Sequence, residues 1–285
     1  MASVNTPRTV NTDRTDDTPS RPHDVTRQIA VISAVVFMII AAMVGTGLFG
    51  GTNVRDLQDG ALAEDATYLA PDVPAFSIWS VIYILMVAYA IYQALPGQRS
   101  RPRQRLTGWW IALTAVLNGV WLLVAQFSTL VLTAVGIVVL LIALGWTLHL
   151  LVASPPANAA DMIFMDVTVG LHLGWVTLAT VANITAVLTQ TLPTSMEENA
   201  NAWGIAVLIV VGLIGLAVAW FTGGRLAPGL ASAWGLVWIA VARTTGSPES
   251  SAIAVTASIV AVVIVVAPIV LILSPRPGRG VFTRA

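Results

Sequence analysis

The sequence predicts an all-α fold, a polytopic transmembrane helical bundle of about eight helices. Three observations predict it. The 285 residues are 56% hydrophobic and 10% charged, where soluble domains run near 25% charged. Eight apolar stretches approach the roughly 20 residues a helix needs to cross a bilayer. The arginines then divide between the two sides of such a bundle as positive-inside topology demands.

The first 28 residues are rich in Thr, Asp, Arg and Pro and read as a disordered cytoplasmic tail. No short apolar core begins the chain, so no cleavable signal peptide is expected. The helices are predicted near 29–50, 75–95, 108–126, 129–153, 164–189, 203–221, 226–243 and 252–274, with a cytoplasmic tail from 276 to 285. The third and fourth are divided only at Gln126-Phe127-Ser128, and the sixth and seventh only at Gly223-Gly224-Arg225. Gly45, Gly47, Gly50 and Gly51 sit where the first helix ends and suit close packing or the helix exit.

With the N-terminus inside, twelve arginines fall on the inner side. They are Arg8, Arg14, Arg21, Arg27, Arg99, Arg101, Arg103, Arg105, Arg225, Arg276, Arg279 and Arg284. Only Arg55 and Arg243 fall outside. Both termini are therefore expected in the cytoplasm, and the protein in the plasma membrane. The inner arginines suit anionic lipid headgroups; they form a rim, not a nucleic-acid patch. The outer loop of about 51–74 carries Asp56, Asp59, Glu64, Asp65 and Asp72. It reads either as a lid over an outward-opening cavity or as a solvated acidic loop.

Composition excludes several chemistries. Without cysteine there are no disulfides, no iron–sulfur cluster and no thiol nucleophile. Without lysine there is no retinal or enzymatic Schiff base. No phosphate-binding glycine loop, metal cluster or Ser-His-Asp arrangement stands out, and no enzyme activity is expected.

Two asparagines inside apolar helices point to function, because an amide in hydrocarbon is costly unless something bonds it. The helical period places Thr114, Asn118, Trp121 and Ala125 on one face of the third helix. It places His172, Trp175, Ala179 and Asn183 on one face of the fifth, and Phe76, Trp79, Tyr83, Met86 and Ala90 on one face of the second. At about 1.5 Å per residue, these faces overlap in depth. They would form an aromatic-lined pocket for a flat apolar ligand, or they simply pack helix against helix. Of the ten tryptophans, Trp109, Trp110, Trp203 and Trp220 read as interfacial belt residues, while Trp146, Trp234 and Trp238 lie deeper.

These residues carry a family resemblance. The run Phe76, Trp79, Tyr83, Met86, the segment Leu117-Asn118-x-x-Trp121, and the series Trp175, Ala179, Asn183 resemble the signature motifs of the TspO/MBR family. These are the tryptophan-rich sensory or translocator proteins. The motifs cover about residues 30–190, making the first five helices TspO-like, with three further helices in 191–275. The resemblance implies a five-helix bundle binding porphyrin, haem or sterol-like molecules for sensing or transport. It implies that Trp79, Asn118, Trp121, Trp175, Ala179 and Asn183 line or support the pocket; the shared helix faces add Tyr83 and His172 as candidate ligand-binding residues. The sequence departs from the family at two places. The family's Trp-x-Pro-Pro is reduced to Pro71 and Pro74, and its Pro-Tyr is replaced by Leu171-His172.

His172 invites readings as a haem ligand or proton shuttle, against a neutral histidine bonded to a neighbouring helix, which is preferred. Asp166 reads as an interfacial or capping carboxylate, and His149 as interfacial. The last three helices complete a larger bundle or form a homodimer surface; both stay open. A secondary transporter using all eight helices is the alternative function, and a porphyrin-degrading membrane enzyme a third.

Overall fold

The computed structural model describes residues 21–48, 52–192 and 198–274. The predicted tails over 1–20 and 276–285 and the Gly50-Gly51 pair lie outside them. Eight described helices are long and apolar enough to cross a membrane. They are α1 (Pro22–Gly45), α2 (Val73–Ala94), α3 (Pro102–Phe127), α4 (Leu130–Ala153), α5 (Ala159–Thr191), α6 (Ala200–Thr222), α7 (Leu226–Thr245) and α8 (Ser251–Leu273).

Local signals set the boundaries. Thr129 and Ser250 cap α4 and α8 by accepting from the amides of Leu132 and Ile253. The break between α3 and α4 falls at Ser128, as the sequence suggests. Between α6 and α7 it falls at Gly223, which adopts the left-handed conformation (φ 69°) that ends helices cheaply.

Three helices start earlier than their apolar stretches do. α1 begins at Pro22, inside the segment expected to be disordered. Asp24 accounts for this. It accepts from the Arg21 amide at 2.8 Å and pairs with Arg105 of α3 at 2.6 Å, so the polar first turn has partners. α3 likewise begins at Pro102 and α5 at Ala159, because Arg103, Gln104 and Asp161 are bonded within the protein. Hydropathy cannot see a polar turn whose charges are satisfied by another helix.

The helices pack in the order α1–α3–α4–α5–α7–α8–α6, with α2 laid against α1 and α5. Arg27 reaches the Arg99 carbonyl at 3.0 Å, and Gly224 lies beside Ile272. The starts of α1 and α3 and the end of α8 thus share one end of the bundle, called the termini end below. The opposite, loop end carries residues 52–72. There Gln58 donates to the Ser128 carbonyl at 2.7 Å.

Two large apolar cores fill the interior, and a small third cluster of Ala61, Leu130 and Ala186 lies under the loop. One belongs to α1–α5 and includes Ala231 of α7. The other belongs to α6–α8 and includes Leu178 of α5 and Leu69 of the loop. The seam between them is α5 against α7, where glycines let the backbones close. A methyl group at Gly174 would lie 2.1 Å from the Pro228 carbonyl oxygen, and one at Gly235 would lie 2.6 Å from Leu178. Ser232 donates to the Gly174 carbonyl across this seam at 2.9 Å.

Candidate functional site

The motif-bearing faces of α2, α3 and α5 converge near the loop end. Phe76 and Trp79 of α2, Trp121 of α3, and Trp175, Leu178, Ala179, Ala182 and Asn183 of α5 wall a cavity of about 50 Å³. Val54, Ala61, Leu62, Thr67, Ala70 and Pro71 of the loop cover it. Ile239 of α7 completes the wall. Among the described residues, no charged side chain lines it. A second space, about 420 Å³, lies between α1 and α2. Val54, Phe76, Trp79 and Trp121 border both spaces, so these four side chains form the partition.

The aromatic rings hold one another. Trp79 stacks on Tyr83 (centroids 5.3 Å apart) and meets Trp175 edge-on at 6.2 Å. Phe76 meets Trp175 edge-on at 5.8 Å. Such geometries suit the ring quadrupoles. They follow from spacing: three to four residues along a helix return a side chain to the same face.

Polar atoms at the site are under-bonded. The indole N–H groups of Trp121 and Trp175, Oδ1 of Asn183, Nδ2 of Asn118 and both ring nitrogens of His172 are buried with no hydrogen-bond partner among the described residues. Most buried polar groups in proteins have one. Asn183 spends its own donor on the Ala179 carbonyl at 2.8 Å. Asn118 accepts from the Tyr83 hydroxyl at 3.4 Å.

Of the eight residues named from sequence, Trp79, Trp121, Trp175, Ala179 and Asn183 line the cavity. Tyr83 lines the α1–α2 groove instead. Asn118 and His172 line neither space. Both are fully buried, His172 edge-on to Trp79 at 5.8 Å. The sequence favours a neutral histidine bonded to a neighbouring helix, but His172 finds no such bond among the described residues. The Trp79 ring packs against it, and it does not share the cavity with Trp175, Ala179 and Asn183.

The other candidates resolve by tertiary contact. Asp166 caps no helix. Both its oxygens accept from Arg103 (2.7 and 2.8 Å) and one also accepts from Arg225, and Asp166 itself sits within the π-helical turn Met162–Val167. Burial pushes the Arg225 guanidinium below its usual pKa, with Asp166 opposing that shift. His149 lies between the rings of Trp146 and Phe221, at 5.2 and 5.7 Å. Trp146 is half exposed and meets Trp110, away from the cavity. Trp203 and Trp220 are exposed, as belt residues are.

Sequence reasoning missed the loop residues that roof the cavity, Ile239, and the buried Arg243. Only the acidic loop's length hinted at a roof. For Ile239 there was no signal, since its helix carries no site motif.

A family model described as TSPO-like protein matches residues 27–270. No curated protein and no solved structure matches the chain. The family match runs from α1 into α8, so it takes in the last three helices, which the motifs did not reach. With most of its length matched and its motif faces gathered round one cavity, the chain belongs to the family of TSPO-like proteins.

Proposed function

We propose that the protein binds a flat, hydrophobic ligand, of tetrapyrrole or sterol-like shape, for sensing or transport rather than catalysis. One observation carries this reading. Unpartnered buried donors and an acceptor, on Trp121, Trp175 and Asn183, sit in the walls of one aromatic cavity. Such groups are costly unless something bonds them, and a ligand with a few polar atoms would do so. The cavity of about 50 Å³ is smaller than a tetrapyrrole. The groove of about 420 Å³ behind Trp79 and Trp121 supplies room if those side chains turn. A metal-free ring suits the site best, because His172 stands behind Trp79. The positive-inside rule supports a reading in which the arginine-rich termini end faces the cytoplasm, with the plasma membrane as the expected site.

The test is a titration of the full chain in lipid nanodiscs with protoporphyrin IX, read by tryptophan quenching. Saturable binding is expected. Trp121→Phe and Trp175→Phe should each weaken it about tenfold, since a lost hydrogen bond and ring contact together are worth about 1–2 kcal/mol. No saturable quenching, or affinity unchanged in both variants, overturns the proposal.

A further inference from the structure

α7 carries none of the motifs that mark the site, yet it holds the roof. Arg243, 1% exposed, donates from Nη1 to the Thr67 carbonyl at 2.7 Å. Its Nη2 donates to the carbonyls of Glu64 at 2.8 Å and Ser247 at 3.2 Å. Two further tethers follow, one from the end of the loop and one at the start of α2. Asp72 donates its amide to the Trp238 carbonyl at 3.2 Å, and the Trp234 indole donates to the Ala75 carbonyl at 2.9 Å. Charge-assisted bonds of the Arg243 kind are the strong ones. The Asp65 and Asp72 carboxylates also attract the guanidinium electrostatically.

The loop is built to turn at its other end. Gln58, Asp59 and Gly60 all adopt positive φ (55°, 57° and 78°). For the first two this is a sparsely populated conformation. Just beyond, Ala61, Leu62 and Thr67 roof the cavity. A strained turn on one side and a cationic clamp on the other are the parts of a lid.

We propose that Arg243 latches this lid, so that α7 sets how readily a ligand passes between the cavity and the aqueous side. Arg243 is a positioning residue, touching backbone carbonyls of the roof and not the cavity. The role rests on the binding reading above, but the lid can be tested without a ligand.

The experiment uses the full chain in nanodiscs, with Arg243→Gln and Arg243→Lys variants. Hydrogen exchange of the amides over 61–70 is measured without ligand. Association and dissociation of protoporphyrin IX are then followed by stopped-flow quenching. Arg243→Gln should speed lid exchange by tenfold or more, the scale of losing charged hydrogen bonds, and leave α2, α3 and α5 unchanged. It should raise the association and dissociation rates together. Arg243→Lys keeps the charge but cannot reach all three carbonyls, and should fall between. Lid exchange at the wild-type rate, or acceleration spread evenly over every helix, overturns the latch. If Arg243→Gln does not fold, Arg243→Lys carries the same test, and lid exchange at the wild-type rate in that variant overturns the latch. If the wild type binds no protoporphyrin, the binding proposal fails while lid exchange still decides the latch.

Discussion

Asn118 is fully buried, accepts one long hydrogen bond from Tyr83, and leaves Nδ2 without a partner among the described residues. An amide so placed costs folding energy, and an apolar side chain of similar shape removes that cost. Asn118→Leu should therefore leave the thermal midpoint in nanodiscs unchanged or raised, within about 1 kcal/mol. It should also weaken protoporphyrin binding, because Asn118 steadies the stack of Tyr83 on Trp79 through that bond. A clear fall in the midpoint would mean that Asn118 is a structural residue. Natural proteins tolerate such local costs where function needs them. That the amides were unusual was legible in the sequence. That Asn183 turns its donor back on Ala179 while Asn118 faces Tyr83 was not, since rotamer and neighbour are set by packing.

At the scale of the element, α5 shows how charge extends a helix beyond its apolar stretch. Hydropathy places its start near 164, yet it runs from Ala159. Its first turns bury Asp161 and Asp166 against partners from other helices. Asp166 holds Arg103 of α3 and Arg225 of the α6–α7 turn, and these in turn bond the Ser154 and Leu151 carbonyls. Removing one member of such a cluster strands the others. Asp166→Ala should cost about 3–5 kcal/mol by leaving guanidinium charge uncompensated, and Asp166→Asn less, since the amide oxygen still accepts. Thermal unfolding of the two variants checks this, and equal, small losses would refute it. The sequence showed an intramembrane-edge carboxylate; its two arginines lie about sixty residues away on either side and could not be paired by pattern.

Across the whole molecule, the five-helix and three-helix parts share a seam rather than a linker. Each large apolar core contains a residue from the other part, Ala231 in one and Leu178 in the other. Gly174 makes the seam possible, because any side chain there meets the Pro228 carbonyl. Gly174→Leu should drive α7 off α5. Because α7 also carries Arg243 and Ile239, the same change should loosen the roof of a cavity that Gly174 itself does not touch. Wild-type protein should unfold thermally in one transition and Gly174→Leu in two. A single transition at an unchanged midpoint would show that the seam carries little.

The sequence by itself determined the eight helices, their order and the three faces that carry aromatic and amide groups. Hydropathy, period and the cost of an unbonded backbone in lipid are local properties, read within one helix at a time. Tertiary structure decided what those faces meet. It put Ile239 and the loop on the cavity, seated His172 behind Trp79, and joined Arg243 to Thr67 across 176 residues. Contacts of that kind depend on which backbones can approach closely and which buried charges find a partner. Both are settled only when all the helices pack together.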